Sequence, residues 1–144
     1  MKDMHRYLVD TNVLIDLAIE TRPSHESAMD MLSLAQRRTD IEFVIFMPCI
    51  KDVYYVIHRH YKDEQTARGL AHGLCSMFEG VGMDRELTEL AFACDEPDFE
   101  DGLIRVAAEI SGCKGIISRA VEAFTNATTV YRISPEDFCK KHQR

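Results

Sequence analysis

Short apolar runs alternate along the chain with longer segments of helical periodicity. Strands are predicted at five runs, namely Arg6 to Asp10, Phe43 to Met47, Val81 to Met83, Gly115 to Ser118 and Thr128 to Arg132. Between the first two runs, apolar residues recur at helical spacing, namely at Ala28, Met31, Leu32 and Ala35. This alternation predicts an α/β fold, in which a central parallel sheet of about five strands forms the middle layer of a three-layer α/β/α sandwich.

Helices are predicted at Ser24 to Arg38, Lys51 to Tyr61 and Asp63 to Glu79, with two more beginning after Asp98 and Ser134. Gly69 and Gly73 weaken the third of these by about 1 kcal/mol each relative to alanine. Glycine is tolerated in a helix where another element approaches closely. We therefore expect a tight contact within the chain at this pair, with a seam between two copies of the chain as the alternative.

The length and composition indicate one ordinary folded domain. The 144 residues are expected to form a single domain over 1–144, with a core from about residue 6 to about residue 142. No run of about 18 uncharged apolar residues is present, so neither a membrane span nor a signal peptide is expected. The net charge of −7 is unfavourable for binding nucleic acid, unless the acids themselves form a site for divalent cations.

The cysteines and histidines do not suggest a metal site. The five cysteines lack any C-x-x-C spacing and are odd in number, which argues against a disulfide framework and a thiolate zinc site. They are expected to be small buried residues of a protein in the reducing cytoplasm. His58 and His60 lie on different faces of the predicted helix, so they are not expected to share a metal.

Acidic residues stand where predicted strands end and helices begin. Asp10 ends the first apolar run, and ligands of open α/β sheets bind outside the carboxyl ends of the strands. The alternative is that Asp10 or Thr11 only caps the following helix. Further along, residues 95–101 contain five acids, and helix capping by Asp98 and Asp101 accounts for only one or two of them. The others are expected to be solvated or bound to a cation.

If the first and fourth strands are neighbours, Asp10, Asp52 and Asp101 come to the same edge of the sheet. Their mutual repulsion then requires a hard cation such as Mg²⁺ or Mn²⁺. A metal ion held by oxygens activates water for phosphodiester hydrolysis, so the set predicts a metal-assisted nuclease. For Asp52 alone, a favourable position at a helix N-terminus is an equally good explanation.

Three segments carry a family resemblance that spans essentially the whole chain. The runs 8–14, 48–55 and 98–103 read LVDTNVL, PCIKDVYY and DFEDGL. Together they resemble the PIN domain, the fold of many ribonucleases, including the VapC-type toxins of bacterial toxin-antitoxin pairs. The resemblance implies an RNA substrate, a Mg²⁺ or Mn²⁺ cofactor, a cognate antitoxin, a cytoplasmic location and no membrane, and it allows a homodimer. The metal ligands and catalytic acids that it implies are Asp10, Asp52 and Asp101, with Asp98 as an auxiliary ligand and Thr11, Asn12 and Ser118 in support.

The chain departs from the family pattern after the fourth strand. The family usually has Asp or Asn at the position of Ala120 and Asp at the position of Ala123. Their absence leaves a three-acid centre suited to one cation. Glu122 is an alternative fourth acid. A catalytically weakened module that binds RNA or protein is therefore the competing function, with Lys51 and Arg119 as candidate RNA contacts. Other α/β classes fit less well. A glycine-rich turn, which dinucleotide binding requires, does not follow the first strand.

Overall fold

Five parallel strands form the centre of the molecule in the computed structural model, which describes residues 4–143. The strands are β1 His5–Val9, β2 Ile41–Phe46, β3 Glu79–Val81, β4 Gly115–Ile117 and β5 Tyr131–Ile133. Their order in the sheet is β3-β2-β1-β4-β5, so β1 lies between β2 and β4. The predicted fold class and the neighbouring positions of the first and fourth strands are confirmed.

Helices cover both faces of this sheet. They are α1 Thr11–Ala18, α2 His25–Gln36, α3 Cys49–Tyr61, α4 Glu64–Met77, α5 Arg85–Ala93, α6 Phe99–Ile110 and α7 Pro135–His142. The side chains of β1 show how the layers form, because successive residues of a strand point to opposite faces. Tyr7 and Val9 pack in one core with α1, α2, α3, α4 and α7, whereas Leu8 packs in a second core with α5 and α6. All three of these β1 side chains are fully buried, and the three-layer arrangement is confirmed.

Some predicted boundaries were wrong. β3 begins at Glu79, where the helix α4 was expected to end, and β5 begins at Tyr131, three residues later than predicted. The helix α5 was not predicted at all, although Leu87, Leu90 and Ala91 stand at helical spacing; Leu87 and Ala91 are its buried residues. Local capping defines its start, since the Asp84 side chain accepts a hydrogen bond from Leu87 N at 2.8 Å.

The glycine pair of α4 is exposed. A Cβ atom built at Gly69 or Gly73 would have no neighbour within 4 Å, so the expected tight contact within the chain is wrong. The alternative, a seam between two copies of the chain, stays a prediction.

All five cysteines are free, and Cys49 and Cys113 are buried among apolar residues. Across residues 4–143, every helix falls short of the length and apolar character that crossing a membrane requires.

Candidate functional site

Asp10 lies where β1 meets α1, at the carboxyl edge of the sheet. Its backbone N–H donates to Ile117 O of β4 at 2.9 Å. Its side chain accepts one hydrogen bond from Thr11 N at 2.8 Å and another from the Ser118 hydroxyl at 2.7 Å. Asp10 therefore does cap α1, as the alternative held, and it is also buried and bound by a hydroxyl from the end of β4. Burial raises the pKa of Asp10, although these two hydrogen bonds act in the opposite direction.

A cavity of about 540 Å³ opens in front of Asp10, and four carboxylates line it. Besides Asp10 they are Asp52, from the first turn of α3, and Glu100 and Asp101, from the first turn of α6. The sheet order brings them together, because β2 and β3 lie on one side of β1 and β4 and β5 on the other, so that the strand order reverses between β1 and β4. Ligands of open parallel sheets bind at such a point.

The carboxylates are close enough to affect one another's ionisation. Burial, followed by the negative charges of Asp98 and Asp10, raises the pKa of Asp101 to about 6. A carboxylate beside like charges is stabilised by a proton or by a cation. The cavity is therefore chemically suited to a positive ligand.

Cys49 lies within this group of acids but is not a nucleophile. Its side chain is buried at the start of α3 and lines the cavity together with Thr11. Burial, and then the charges of Asp10, Asp52 and Glu100, raise the pKa of its thiol to about 11. The thiol is thus protonated near neutral pH, and a thiolate mechanism does not fit the site.

Ser118 and Asn12 connect the end of β4 to Asp10. The fully buried Ser118 hydroxyl, besides donating to Asp10, accepts from Asn12 Nδ2 at 3.3 Å and from Ala120 N at 3.1 Å. Asn12 Oδ1 accepts from Arg119 N at 3.3 Å. These bonds hold the loop after β4 beside the acid cavity.

Three residues that the sequence suggested for the site lie elsewhere. Asp98 is exposed and caps α6 by accepting from Glu100 N at 2.8 Å, and it acts on Asp101 through its charge rather than by lining the cavity. Lys51 is exposed on α3 and lines a separate, largely apolar groove between α3 and α4. The Arg119 side chain is bound to Asp16, through Nε at 2.6 Å and Nη2 at 3.2 Å.

Two of the five acids in residues 95–101 are neutralised by an arginine. Arg105 of α6 contacts Asp95 at 2.5 Å and Glu96 at 3.4 Å. The other oxygen of Glu96 accepts from Phe124 N at 2.9 Å, and its side chain is only 2% exposed. The expectation that the acids beyond the caps are solvated or hold a metal is wrong for Glu96, which joins α6 to the loop before β5.

The alanine departures have different surroundings. Ala120 is half-buried and lines the acid cavity, whereas Ala123 is buried in the core that contains α5 and α6. Glu122 is exposed and does not line the cavity, which leaves its suggested replacement role without support.

Sequence reasoning missed two charged residues that do line the cavity, Glu100 and Arg22. The place of Glu100 beside Asp101 in the first helical turn was a usable signal. Nothing local pointed to Arg22, because its position depends on the turn between α1 and α2.

The acids are spread around the cavity rather than gathered into a closed metal cage. Across residues 4–143, no group of three or more His, Cys, Asp or Glu side chains could hold a metal ion. Mg²⁺ does not need such a cage, because it keeps several waters and is bound through one or two carboxylates. Asp10 and Asp101, whose charges disfavour each other, fit that requirement.

The fold and the cavity together define an α/β/α domain with a carboxylate-lined site at the carboxyl edge of a parallel sheet. The model of a family described as the PIN domain matches residues 6–122, and the chain belongs to that family. A sequence comparison with curated proteins finds no match.

Solved structures with this fold come from several bacteria. VapC20 of Mycobacterium tuberculosis, a sarcin-ricin loop cleaving toxin, is 14% identical with a TM-score of 0.65, over 81% of this chain and 92% of that one. VapBC2 of Rickettsia felis, bound to a promoter DNA fragment, is 12% identical with a TM-score of 0.67, over 90% and 98%. A toxin-antitoxin complex from Klebsiella pneumoniae is 21% identical with a TM-score of 0.61, over 90% and 97%. These likenesses establish the shared fold.

Proposed function

We propose that this protein is a divalent-metal-dependent endoribonuclease and the toxin of a toxin-antitoxin pair. The observation that carries the proposal is the cavity that Asp10, Asp52 and Asp101 line from three separate helix starts. A cavity lined by carboxylates binds a hard cation and repels a bare phosphate, so the acids have a use in RNA chemistry only together with a metal.

Asp10 and Asp101 are the proposed ligands of a single Mg²⁺ or Mn²⁺ ion, with Asp52 as the third acid. Hydrogen bonds from Thr11 N and the Ser118 hydroxyl fix the orientation of Asp10, so little side-chain freedom is lost when it binds a cation. Asp101 belongs to the first turn of α6 and lines the same cavity. Asp98, which lies outside the cavity lining, is proposed to act only through its charge.

When bound, the ion supplies Lewis-acid activation of water and offsets the negative charge that develops on the phosphate. The chain's own residues then have to bind the ion, position the RNA backbone and limit the access of bulk water. Asp52 and Glu100 lie around the same cavity and are the residues placed to orient an attacking water or accept its proton. The Cys49 thiol, protonated near neutral pH, has no part in this chemistry.

The toxin role is supported by the kind of protein that shares the fold. The structural relatives include a toxin that cleaves the sarcin-ricin loop and two assemblies of toxin with antitoxin. By analogy, we propose that this chain acts in the cytoplasm as one unit over 1–144, cleaves RNA and is held inactive by an antitoxin protein. The exposed Gly69 and Gly73 face of α4 is the proposed seam of a homodimer.

A second function has one observation in its favour. Ala120 lines the cavity at a position where an acid would add a ligand, so this chain has fewer metal-binding groups than the family pattern provides. The competing proposal is an RNA- or protein-binding module with little or no cleavage activity. Metal-dependent cleavage by the wild-type protein decides between the two.

The test is cleavage of a panel of structured and single-stranded RNAs with Mg²⁺, with Mn²⁺ and with EDTA. We expect cleavage with either ion, none with EDTA, and none by the Asp10→Asn variant while it keeps the circular dichroism spectrum of the wild type. Expression of the wild type in a bacterium should arrest growth, and expression of Asp10→Asn should not. If metal binds and no RNA is cut, the binding module is the correct description.

A further inference from the structure

A second buried carboxylate, Asp16, lies beside the acid cavity and is already paired. It belongs to α1, and its side chain is 1% exposed. Arg22 Nε donates to Asp16 Oδ1 at 2.8 Å, and Arg119 Nε donates to Asp16 Oδ2 at 2.6 Å. One buried carboxylate thus holds two guanidinium groups, which come from the turn after α1 and from the loop after β4.

The two arginines differ in how many of their N–H groups are bound to Asp16. Arg119 uses both Nε and Nη2 on Asp16, and it does not line the acid cavity. Arg22 binds Asp16 through Nε alone, and within residues 4–143 its two terminal nitrogens donate no hydrogen bond. The Arg22 side chain is 34% exposed and lines the cavity.

The backbone around Arg22 is also held in place. Its N–H donates to Ile19 O at 3.2 Å, and its carbonyl accepts from His25 N at 3.0 Å. The His25 ring in turn forms a hydrogen bond through Nδ1 with the backbone carbonyl of Asp16 at 2.7 Å. The guanidinium is therefore pre-positioned, which reduces the entropy lost when it binds a ligand.

Arg22 is the only lysine or arginine among the described residues that line the cavity, alongside four carboxylates. An RNA backbone that enters such a cavity meets repulsion from every charged side chain except this one. Arginine is suited to phosphate because its terminal nitrogens donate two parallel hydrogen bonds to the oxygens. A fixed guanidinium with its terminal nitrogens unused, beside a metal-binding set of acids, matches a phosphodiester rather than a neutral ligand.

We propose that Arg22 binds a non-bridging phosphate oxygen of the RNA backbone within the acid cavity, and that Asp16 is the residue that positions it. This assignment rests on the proposed ribonuclease function. Arg119 then serves as the second partner of Asp16 and does not contact RNA. Arg22 therefore takes the place of Arg119, the arginine that the sequence suggested as an RNA contact.

The experiment compares Arg22→Gln and Arg22→Lys with Arg85→Gln, which removes the same charge from a 92% exposed position on α5 that does not line the cavity. Cleavage kinetics are measured on an RNA that the wild type cuts. Binding of fluorescein-labelled single-stranded RNA of mixed sequence is measured in an Asp10→Asn background, so that cleavage does not interfere. The rise in melting temperature with Mg²⁺ is recorded for each single variant as a test of the metal site.

We expect Arg22→Gln to lower kcat/KM by about tenfold or more, the scale of a lost charged hydrogen bond, chiefly through KM. Its RNA affinity should fall, and the dependence of log affinity on log salt should become shallower by about 0.7, the effect of one phosphate contact. Arg22→Lys should recover part of the loss, because it keeps the charge without the paired donors. Arg85→Gln should match the wild type, and all three variants should keep the Mg²⁺ response.

The outcomes separate the two proposals. If the wild type cleaves RNA and Arg22→Gln has unchanged kcat/KM and affinity, the assignment of Arg22 is wrong and the ribonuclease function stands. If Arg22→Gln also loses the Mg²⁺ response, Arg22 has a structural role and the assignment is again wrong. If the wild type neither cleaves nor binds RNA while it binds Mg²⁺, the ribonuclease function fails and the assignment fails with it.

Discussion

Asp101 occupies a position that its neighbours make unfavourable for a charged carboxylate. Burial and nearby carboxylates disfavour the ionised form of Asp101 and raise its pKa in the folded protein from the usual 3.8 to about 6. The folded state therefore binds the proton of the Asp101 carboxyl more tightly than the unfolded state does. The contribution of the protonated carboxyl to the free energy of unfolding is present below about pH 4 and is lost as the pH rises through about 6.

Replacing Asp101 by asparagine is expected to raise the melting temperature of the metal-free protein at pH 8. The difference from the wild type should shrink between about pH 6 and about pH 4 and vanish below that range, where the wild-type carboxyl is protonated. Thermal denaturation in EDTA across this pH range measures the effect, with the exposed Glu122→Gln as a control that should not change. A variant that melts at or below the wild type at pH 8 would show that Asp101 is needed for folding.

Ala120 is the position at which one added carboxylate is expected to strengthen the cation site. Ala120→Asp should tighten Mg²⁺ binding several-fold in calorimetry, because an additional charged oxygen ligand raises affinity for a hard cation. It should also lower the melting temperature without metal, by the same repulsion that acts on Asp101. Val121→Asp adds the same charge next door on a side chain that is 69% exposed, and should do neither. Equal Mg²⁺ affinity in both variants would mean that the loop after β4 does not direct residue 120 at the ion.

At the scale of elements, the N-terminal part of α6 is joined to the rest of the fold by a buried ion pair. Arg105 is 10% exposed and pairs with Glu96, which is 2% exposed, and with Asp95, which is 68% exposed. Arg105→Leu leaves the Glu96 carboxylate buried without its partner, so we expect a loss of about 3 to 5 kcal/mol in the free energy of unfolding.

The matched comparison is Asp95→Asn, which removes the exposed partner of the same arginine and should cost less than about 1 kcal/mol. Urea denaturation of both variants measures the difference. Similar small losses in both would show that Glu96 gains solvent or another partner when Arg105 is removed.

The end of α3 has a stability defect that one substitution should remove. Lys62 caps this helix with φ 55° and ψ 35°, the left-handed region that favours glycine. Lys62→Gly is expected to raise the free energy of unfolding by about 0.5 to 1 kcal/mol, because glycine adopts this conformation without the Cβ clash. Lys62→Ala keeps a Cβ atom and should give no such gain in urea denaturation. A gain of equal size in both variants would locate the effect in the lysine charge instead.

The sequence predicted the elements whose signal is local. The strand that ends before Asp10 and the helix caps at Asp98 and Ser134 lie where the pattern placed them, because each depends on residues close in the chain. The helix α5 carries the same kind of local signal at Leu87, Leu90 and Ala91, and it was missed. The distant partners of Asp16 and Glu96 were beyond prediction, because Arg119 lies 103 residues from Asp16, and Phe124 lies 28 from Glu96.

At the scale of the whole molecule, a bound cation should stabilise the fold that gathers the acids. An ion that binds only the folded state adds about 2.7 kcal/mol to the free energy of unfolding at 100 times its dissociation constant, and we expect this of Mg²⁺. Differential scanning calorimetry with rising MgCl₂ measures the shift, and NaCl at the same ionic strength is the control. Asp10→Asn should lose most of the response. An unchanged melting temperature in the wild type at saturating Mg²⁺ would remove the support for a shared cation site.

The central position of β1 in the sheet affects how the protein folds during its synthesis on the ribosome. β1 is made first, yet one of its two neighbours is β4, and the Ser118 hydroxyl that orients Asp10 lies 108 residues further along the chain. Contacts of such long sequence separation form late, because the entropy of the intervening chain is lost before these contacts can stabilise the fold. Asp10 is therefore synthesised long before the cavity around it can form. A nascent chain that ends before residue 118 contains Asp10 but lacks the Ser118 hydroxyl that orients its side chain.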